Sequence, residues 1–159
     1  MEARQRLGRD AENRQNVRCC SPSSGPMSTE AAAAWFERLG AAGTIEWVVE
    51  AQGAFLGTAR LHSFRDDSAR YAVGFFDPDR LGQGFGKEVS RIVVEYAFAS
   101  LGLRRVDLAV LEFNQRAIRC YERCGFRKVG RLANAAVIEG QPYADVLMEV
   151  GPETLVESP

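Results

Sequence analysis

The chain opens on MEARQRLGRDAENRQNVR, a polar, arginine-rich stretch with no sustained apolar period and at most a few helical turns. SPSSGPMS (21–28) follows with the composition of a loop. Ser28 or Thr29 can cap a helix over AAAAWFERL (31–39), with Glu30 at its positive end and Gly40 and Gly43 stopping it. From Thr44 the apolar pattern changes. TIEWVVEA (44–51) and FLGTARLHSF (55–64) are rich in β-branched and aromatic residues, and Gln52-Gly53 between them predicts a hairpin. ARYAVGFFD (69–77) reads as a third strand, in which Gly74 marks a bulge or a close backbone approach. DPDRLGQGFG (77–86) is a Pro/Gly loop leading straight into KEVSRIVVEYAFASL (87–101). There Val89, Ile92, Val93, Tyr96, Ala97 and Leu101 recur at helical spacing, predicting a helix with that face buried and Gly102 at its end. RRVDLAVLEF (104–113) is again a strand. Asn114 caps a helix over QRAIRCYERC (115–124), with Gly125 as its C′ residue. FRKVGRLA (126–133) and YADVLMEV (143–150) are strands, and EGQP (139–142) supplies a turn between them.

The order is helix, three strands, helix, strand, helix, two strands. Meander strands followed by strand–helix units predict an α/β (α+β) fold, a mixed sheet covered by helices. The length of 159 residues suits one compact domain, and 46% apolar residues are enough to give it a core. A net charge of −1 leaves no broad basic face, which argues against nucleic acid as a partner. No apolar run approaches the roughly 20 residues of a membrane span, and the N-terminus has no apolar core of a secretory signal. The expectation is a cytoplasmic protein away from membranes. Cys19, Cys20, Cys120 and Cys124 come with no CxxC pair or histidine cluster, so no metal is expected and the thiols are read as reduced and structural.

Gly82-Gln83-Gly84-Phe85-Gly86 joins a strand to a helix. Glycines let the backbone aim N–H groups at an anion, and the helix end adds partial positive charge. The dipole alone contributes only about 0.3–1 kcal/mol, so several amide bonds must supply the rest. A P-loop would need GxxxxGK followed by Ser or Thr; here the spacing is shorter and Glu88 follows Lys87. A dinucleotide loop would need GxGxxG at the start of a βαβ unit; here the glycines run GxGxG after a hairpin. By itself the loop could equally be a glycine turn without a ligand.

A second segment changes that balance. LEFNQRAIRCYERCGFRKVG (111–130) has a strand ending at Asn114, Tyr121 seven residues on, and Gly125-Phe126 opening the next strand. Together with Gly82, Gly84 and Gly86 in the right order, this resembles the GNAT acetyltransferase superfamily, from about Ser28 to Val150. It is most similar to the branch containing ribosomal-protein N-terminal acetyltransferases, on YAVGFFDPDRLGQGFGKE and N-x-R-A-I-x-x-Y. The resemblance implies a mixed, mostly antiparallel sheet flanked by helices. It also implies acetyl-CoA as co-substrate and direct transfer of acetyl to a primary amine, small molecule or protein N-terminus, in a ternary complex. The domain would span 28–151, with 1–27 a polar, partly helical or flexible segment and 152–159 a tail.

The resemblance also assigns roles. The strand before the glycine loop, mapped to Val73, Gly74, Phe75 and Phe76, and the strand before Asn114 splay to admit pantetheine. An amide of the first strand steadies the acetyl carbonyl. Leu81, Gly82, Gln83, Gly84, Phe85, Gly86 and Lys87 surround the pyrophosphate, with the backbone N–H groups of 82–87 as donors. Asn114 holds the pantetheine arm, a role compatible with capping a helix. Tyr121 faces the sulfur and protonates the leaving thiolate, the other reading being a packed aromatic. Two departures stand out. Leu81 sits three residues before Gly84 where many members have Arg or Gln, and Ala109 replaces a Glu that serves some relatives as base. Neutralising a lysine-like amine at pH 7 costs roughly 4–5 kcal/mol, an α-amine only about 1–1.5 kcal/mol. The remaining base candidates are His62, Glu112, Asp77 and Asp145, of which His62 has the best intrinsic pKa. Ala109 and the short N-terminus also motivate an alternative, a non-catalytic acyl-CoA-binding module. The first strand of such a sheet is missing, which predicts an incomplete edge or a homodimer that completes it.

Overall fold

The computed structural model describes residues 43–76, 81–138 and 140–155. The segment 1–27, the helix expected over 31–39, the missing first strand, Cys19, Cys20 and Asp77 lie outside the described residues. Within them the order is β1 (Thr44–Ala51), β2 (Ala54–Arg65), β3 (Ser68–Phe75), α1 (Phe85–Ala99), β4 (Arg105–Leu111), α2 (Gln115–Glu122), β5 (Arg127–Ile138) and β6 (Gln141–Val150). The strands form one six-stranded sheet in the order β1-β2-β3-β4-β6-β5. Only β3 and β4 run parallel; every other neighbouring pair is antiparallel. The expected mixed, mostly antiparallel sheet with helices is therefore present. No helix of the described residues is long and apolar enough to cross a membrane.

The β1–β2 turn is made by Gln52 (φ 52) and Gly53 (φ 74). Two successive left-handed residues match the right-handed twist of the flanking strands, as two-residue hairpins require. The close approach expected at Gly74 is real, and Gly57 is the residue that permits it. A Cβ on Gly57 would collide with the Gly74 carbonyl across the β2–β3 ladder.

Helix α1 starts two residues ahead of the expected range, and its buried stripe differs from the expected one. Ser90, Val93, Val94 and Ala97 are buried, whereas Ile92 is 56% exposed and Tyr96 38% exposed. The apolar repeat contained two overlapping stripes, and contact with β2 and β4 selected the one through Val94. Tyr96 instead meets Trp47 of β1 edge-on, with ring centroids 5.5 Å apart.

The β5–β6 hairpin is also longer than expected, since Gln141 and Pro142 are strand rather than turn. Pro142 pairs with Val137, beyond Asp145, the last β6 residue paired with β4. Its missing N–H therefore faces no ladder on the β4 side, the kind of position where proline is tolerated in a sheet. The core lies between the sheet and the two helices, around Leu61, Tyr71, Val94, Val106, Ile118, Phe126 and Met148.

One feature of the sheet positions everything else. β3 and β4 pair only at Ser68↔Arg105, Ala69↔Val106 and Arg70↔Asp107. β3 continues to Phe75 and β4 to Leu111 without pairing to each other. β4 stays with β6 over Val106–Leu111, and β3 stays with β2 as far as Phe75. The sheet thus opens into a V at its centre.

Candidate active site

A cleft of about 370 Å³ occupies the helix side of this V. It is lined by Val73 and Phe75 of β3, by Leu81, Gly82, Gly84, Phe85, Gly86 and Lys87, and by Asn114 and Tyr121 of the second motif. Ten expected residues from two distant segments are therefore brought together. Gly74, Phe76, Gln83 and His62 are not among the lining residues.

Strand alternation explains two of these absences. Phe76 donates its N–H to the Leu56 carbonyl at 2.9 Å, so it turns its backbone toward β2. Alternate residues of an antiparallel pair direct their N–H and C=O to the same side, which places Gly74 with Phe76. Val73 and Phe75 turn theirs to the open side. The expectation that all four residues face the cleft is thus halved.

The three loop glycines do different work. Gly82 (φ 83) and Gly84 (φ 92) hold left-handed conformations that cost other residues strain. Gly86 lies under α2: a Cβ there would stand 3.4 Å from Cys120 Sγ and 3.7 Å from Phe75. Gly84 is the N-cap of α1 and has no side chain to satisfy the first turn. The N–H groups of Phe85 and Gly86 have no partner among the described residues. That of Lys87 does not share this freedom, being bonded to the Gly84 carbonyl at 3.0 Å. The open donors therefore stop one residue earlier than expected, and Lys87 reaches the cleft with its side chain. Ser90 braces this turn, donating to the Gly86 carbonyl at 2.7 Å while lying 3.1 Å from the Tyr71 hydroxyl.

On the other wall, Asn114 caps α2 by accepting the Ala117 N–H on Oδ1 at 3.1 Å. An N–H donor requires the oxygen there, so the Asn114 amide nitrogen remains as a donor for the cleft. Tyr121 packs against Phe126 and Tyr71, at centroid distances of 5.7 and 6.3 Å. Burial, then the neighbouring Cys120 and Cys124, hold its phenol well above the ordinary tyrosine range, so it keeps its proton at neutral pH. Cys120 lines the cleft. A hydrogen bond with Cys124, helped by Arg123 and Lys87, lowers its pKa, while Cys124 is pushed up by the same bond and by burial.

Arg116, Arg119 and Arg123 also line the cleft and were missed by the sequence reading. Their signal was present: they fall at i, i+3 and i+7, along one edge of a helix.

The base candidates separate. Glu112 is engaged, accepting from Arg131 at 2.8 and 3.0 Å and from the Ala144 N–H at 3.2 Å. Those bonds lower its pKa, making it a poor base and a clamp between β4 and the β5–β6 hairpin. Asp145 is fully buried, opposite Leu111 in register. His62 lies in a row that crosses the whole sheet, Thr44, His62, Arg70, Asp107, Glu149, Arg127. Tyr71 points to α1 through Ser90, so this row, one residue away in β3, faces the opposite side of the sheet. Arg70 Nε donates to Asp107 Oδ1 at 2.7 Å within it. His62 Nδ1 lies 2.9 Å from Ser63 Oγ, and burial, then Arg60 and Arg70, lower its pKa. The structure thus sets His62 at the closed end of the V and on the face away from Tyr121. Among the described residues no group of three or more His, Cys, Asp or Glu side chains could hold a metal ion.

Comparison with known proteins bears on the family and the fold. Residues 6–127 match the model of the acetyltransferase (GNAT) domain family. The chain is 31% identical over 101 residues to a spermidine N(1)-acetyltransferase of Vibrio cholerae, covering 62% of this chain and 57% of that protein. It is 36% identical over 73 residues to a prophage-derived uncharacterized N-acetyltransferase, YokL, of Bacillus subtilis, covering 46% and 41%. The chain thus spans about half the length of these curated relatives. The crystal structure of spermidine N-acetyltransferase from Vibrio cholerae in complex with CoA and spermine superposes with a TM-score of 0.72 at 24% identity, over 83% of this chain and 80% of that one. A putative acetyltransferase superposes with a TM-score of 0.78 at 23% identity, over 96% and 78%. At such identities the structural likeness speaks of fold.

Proposed function

The chain belongs to the GNAT acetyltransferase domain family, and from that premise we propose that it transfers acetyl from acetyl-CoA to a primary amine. The observation that carries this reading is the cleft where β3 and β4 part, walled by open amides on one side and by Asn114 and Tyr121 on the other. The N–H groups of the loop and of Phe85 and Gly86 bind the diphosphate, with Lys87 beside them. Val73 and Phe75 pair through their backbones with the pantetheine arm, and the Asn114 amide nitrogen donates to it. A strand N–H polarises the acetyl carbonyl.

The amine nitrogen attacks the carbonyl carbon and the carbon–sulfur bond breaks. The neutral Tyr121 phenol donates its proton to the departing thiolate. His62 takes the proton lost by the amine, through water, from the opposite face of the sheet. Its lowered pKa keeps it neutral at pH 7, ready to accept. No acyl-enzyme forms. The acceptor is a polyamine or an exposed α-amine. The names of the spermidine-acetylating relatives support the first. Asn114-x-Arg116-Ala117-Ile118-x-x-Tyr121, typical of the ribosomal-protein N-terminal acetyltransferase branch, supports the second. A homodimer is part of the same reading, supported by β1 standing at the end of the described sheet.

Calorimetry with acetyl-CoA, followed by mass spectrometry on spermidine, spermine and peptide N-termini, tests the proposal. Binding with acetylated product is the expected result; a folded chain that binds no coenzyme A overturns it. The replacement of a catalytic Glu by Ala109 favours a second reading, a coenzyme-binding module without turnover. Binding without product from any amine would select it.

A further inference from the structure

The cleft holds a nucleophile that the proposed transfer does not use. Cys120 of α2 is half-buried and lines the cleft. A Cβ on Gly86 would stand 3.4 Å from its Sγ, so the sulfur rests against the first turn of α1, the positive end of that helix. Cys124, four residues on, is buried and donates its S–H to the Lys87 carbonyl, with Sγ 3.6 Å from that oxygen. This thiol has one proton and two acceptors within reach, the carbonyl and the Cys120 sulfur. When Cys120 ionises, the proton turns to it and supports the thiolate, while Arg123 and Lys87 add positive charge. Such an accessible, electropositive setting makes a thiol reactive, whereas a thiol packed in apolar surroundings is inert. Cys124 fits the second description, because its bond with Cys120 and its burial hold it protonated. Gly86 closes one side of the Cys120 sulfur, so a group attached there extends into the cleft beside Lys87. That is the place read above as the diphosphate site, and the two occupants exclude each other.

We propose that Cys120 is a modification site for small disulfides of the glutathione class, and that the adduct shuts the cleft to acetyl-CoA. This rests on the coenzyme reading above. The Cys120 thiolate attacks one sulfur of the disulfide. A new S–S bond forms as the old one breaks, and the other half leaves as a thiolate that takes up the proton Cys120 gave to water. Cys120 is oxidised and half of the reagent is reduced, so no other oxidant takes part. Cys124 stays a thiol and does not displace the adduct; an added small thiol reverses the step.

Treatment of the full chain with glutathione disulfide, trapping of the remaining thiols and tryptic mapping test it. Cleavage after Arg119 and Arg123 puts Cys120 and Cys124 in separate peptides, 120–123 and 124–127. The adduct is expected on 120–123 at least tenfold faster than on 124–127. Saturating acetyl-CoA, which has no free thiol, should slow it at least tenfold. By calorimetry the modified chain should bind acetyl-CoA at least tenfold more weakly and recover on reduction with dithiothreitol. The Cys120→Ser variant should show one acetyl-CoA affinity before and after treatment. Cys124→Ala should slow the adduct at Cys120 at least threefold, and Cys124→Ser should restore the rate, since a hydroxyl still donates. Equal rates at the two cysteines overturn the proposal and leave the coenzyme reading standing. So does an intrachain disulfide joining the two peptides, or full acetyl-CoA affinity in the modified chain. Fast labelling of Cys120 on folded protein that binds no acetyl-CoA overturns the coenzyme reading, and the blocked cleft with it.

Discussion

The two sides of the opened sheet are built by different means. The helix side binds largely with backbone: glycines that free amides, a strand whose alternate residues face a gap, and a capping Asn114 with one donor left over. The opposite side is built of side chains in register, His62, Arg70 and Asp107 drawn from three strands. Backbone sites are written locally, in a few consecutive residues. Side-chain rows exist only once strands pair. The first kind should therefore fail abruptly on single substitutions, the second by degrees and with pH.

The largest effect is expected where the helix side reaches the chemistry. Tyr121→Phe should lower kcat about 100-fold or more, as loss of a general acid does, with a far smaller change in acetyl-CoA Kd. A kcat within threefold of the unmodified chain would make Tyr121 a packing residue. On the opposite face, His62→Ala should lower turnover at pH 7 at least about tenfold. Because the His62 pKa is lowered from 6.5, the acid limb of kcat/KM should lie below pH 6.5 and vanish in the variant. Normal turnover of the variant at every pH would remove His62 from the mechanism.

A loop substitution should have an intermediate effect. Gly84→Ala forces a side chain into a left-handed conformation costing about 1–2 kcal/mol, so acetyl-CoA affinity should fall roughly tenfold. An unchanged Kd would show that the loop's shape is not used. The smallest effect is expected at the clamp. Glu112→Gln should lower Tm by a few degrees at pH 7. The folded-state pKa of Glu112 is lowered, so its contribution is present above the ordinary carboxylate pKa and lost as pH falls through the folded value. The Tm difference should therefore close in acid; a difference that persists there would mean the carboxylate charge is irrelevant.

The same contrast explains what the sequence revealed. Tyr121 was singled out by the family resemblance, whereas the glycine loop and the Asn114 cap were readable because each is a local rule about φ or capping. The Gln52-Gly53 turn was readable for the same reason. The chosen stripe of α1 was not, because two apolar stripes were present and only packing could decide. Nor was the division among Val73, Gly74, Phe75 and Phe76, which depends on which neighbour β3 faces at each step. Glu112 looked like a base until Arg131, 19 residues away, met it. The arginines of α2 were visible but had no meaning until the helix was placed against the cleft.

The three-residue seam between β3 and β4 has a mechanical consequence. It leaves the described sheet as two plates, one of β1 to β3 and one of β4 to β6, joined at the middle by a short hinge. An extended ligand arm laid in the gap would act as an added strand and carry load from one plate to the other. Slower hydrogen exchange at Val73 and Phe75 in the loaded protein would register that stiffening.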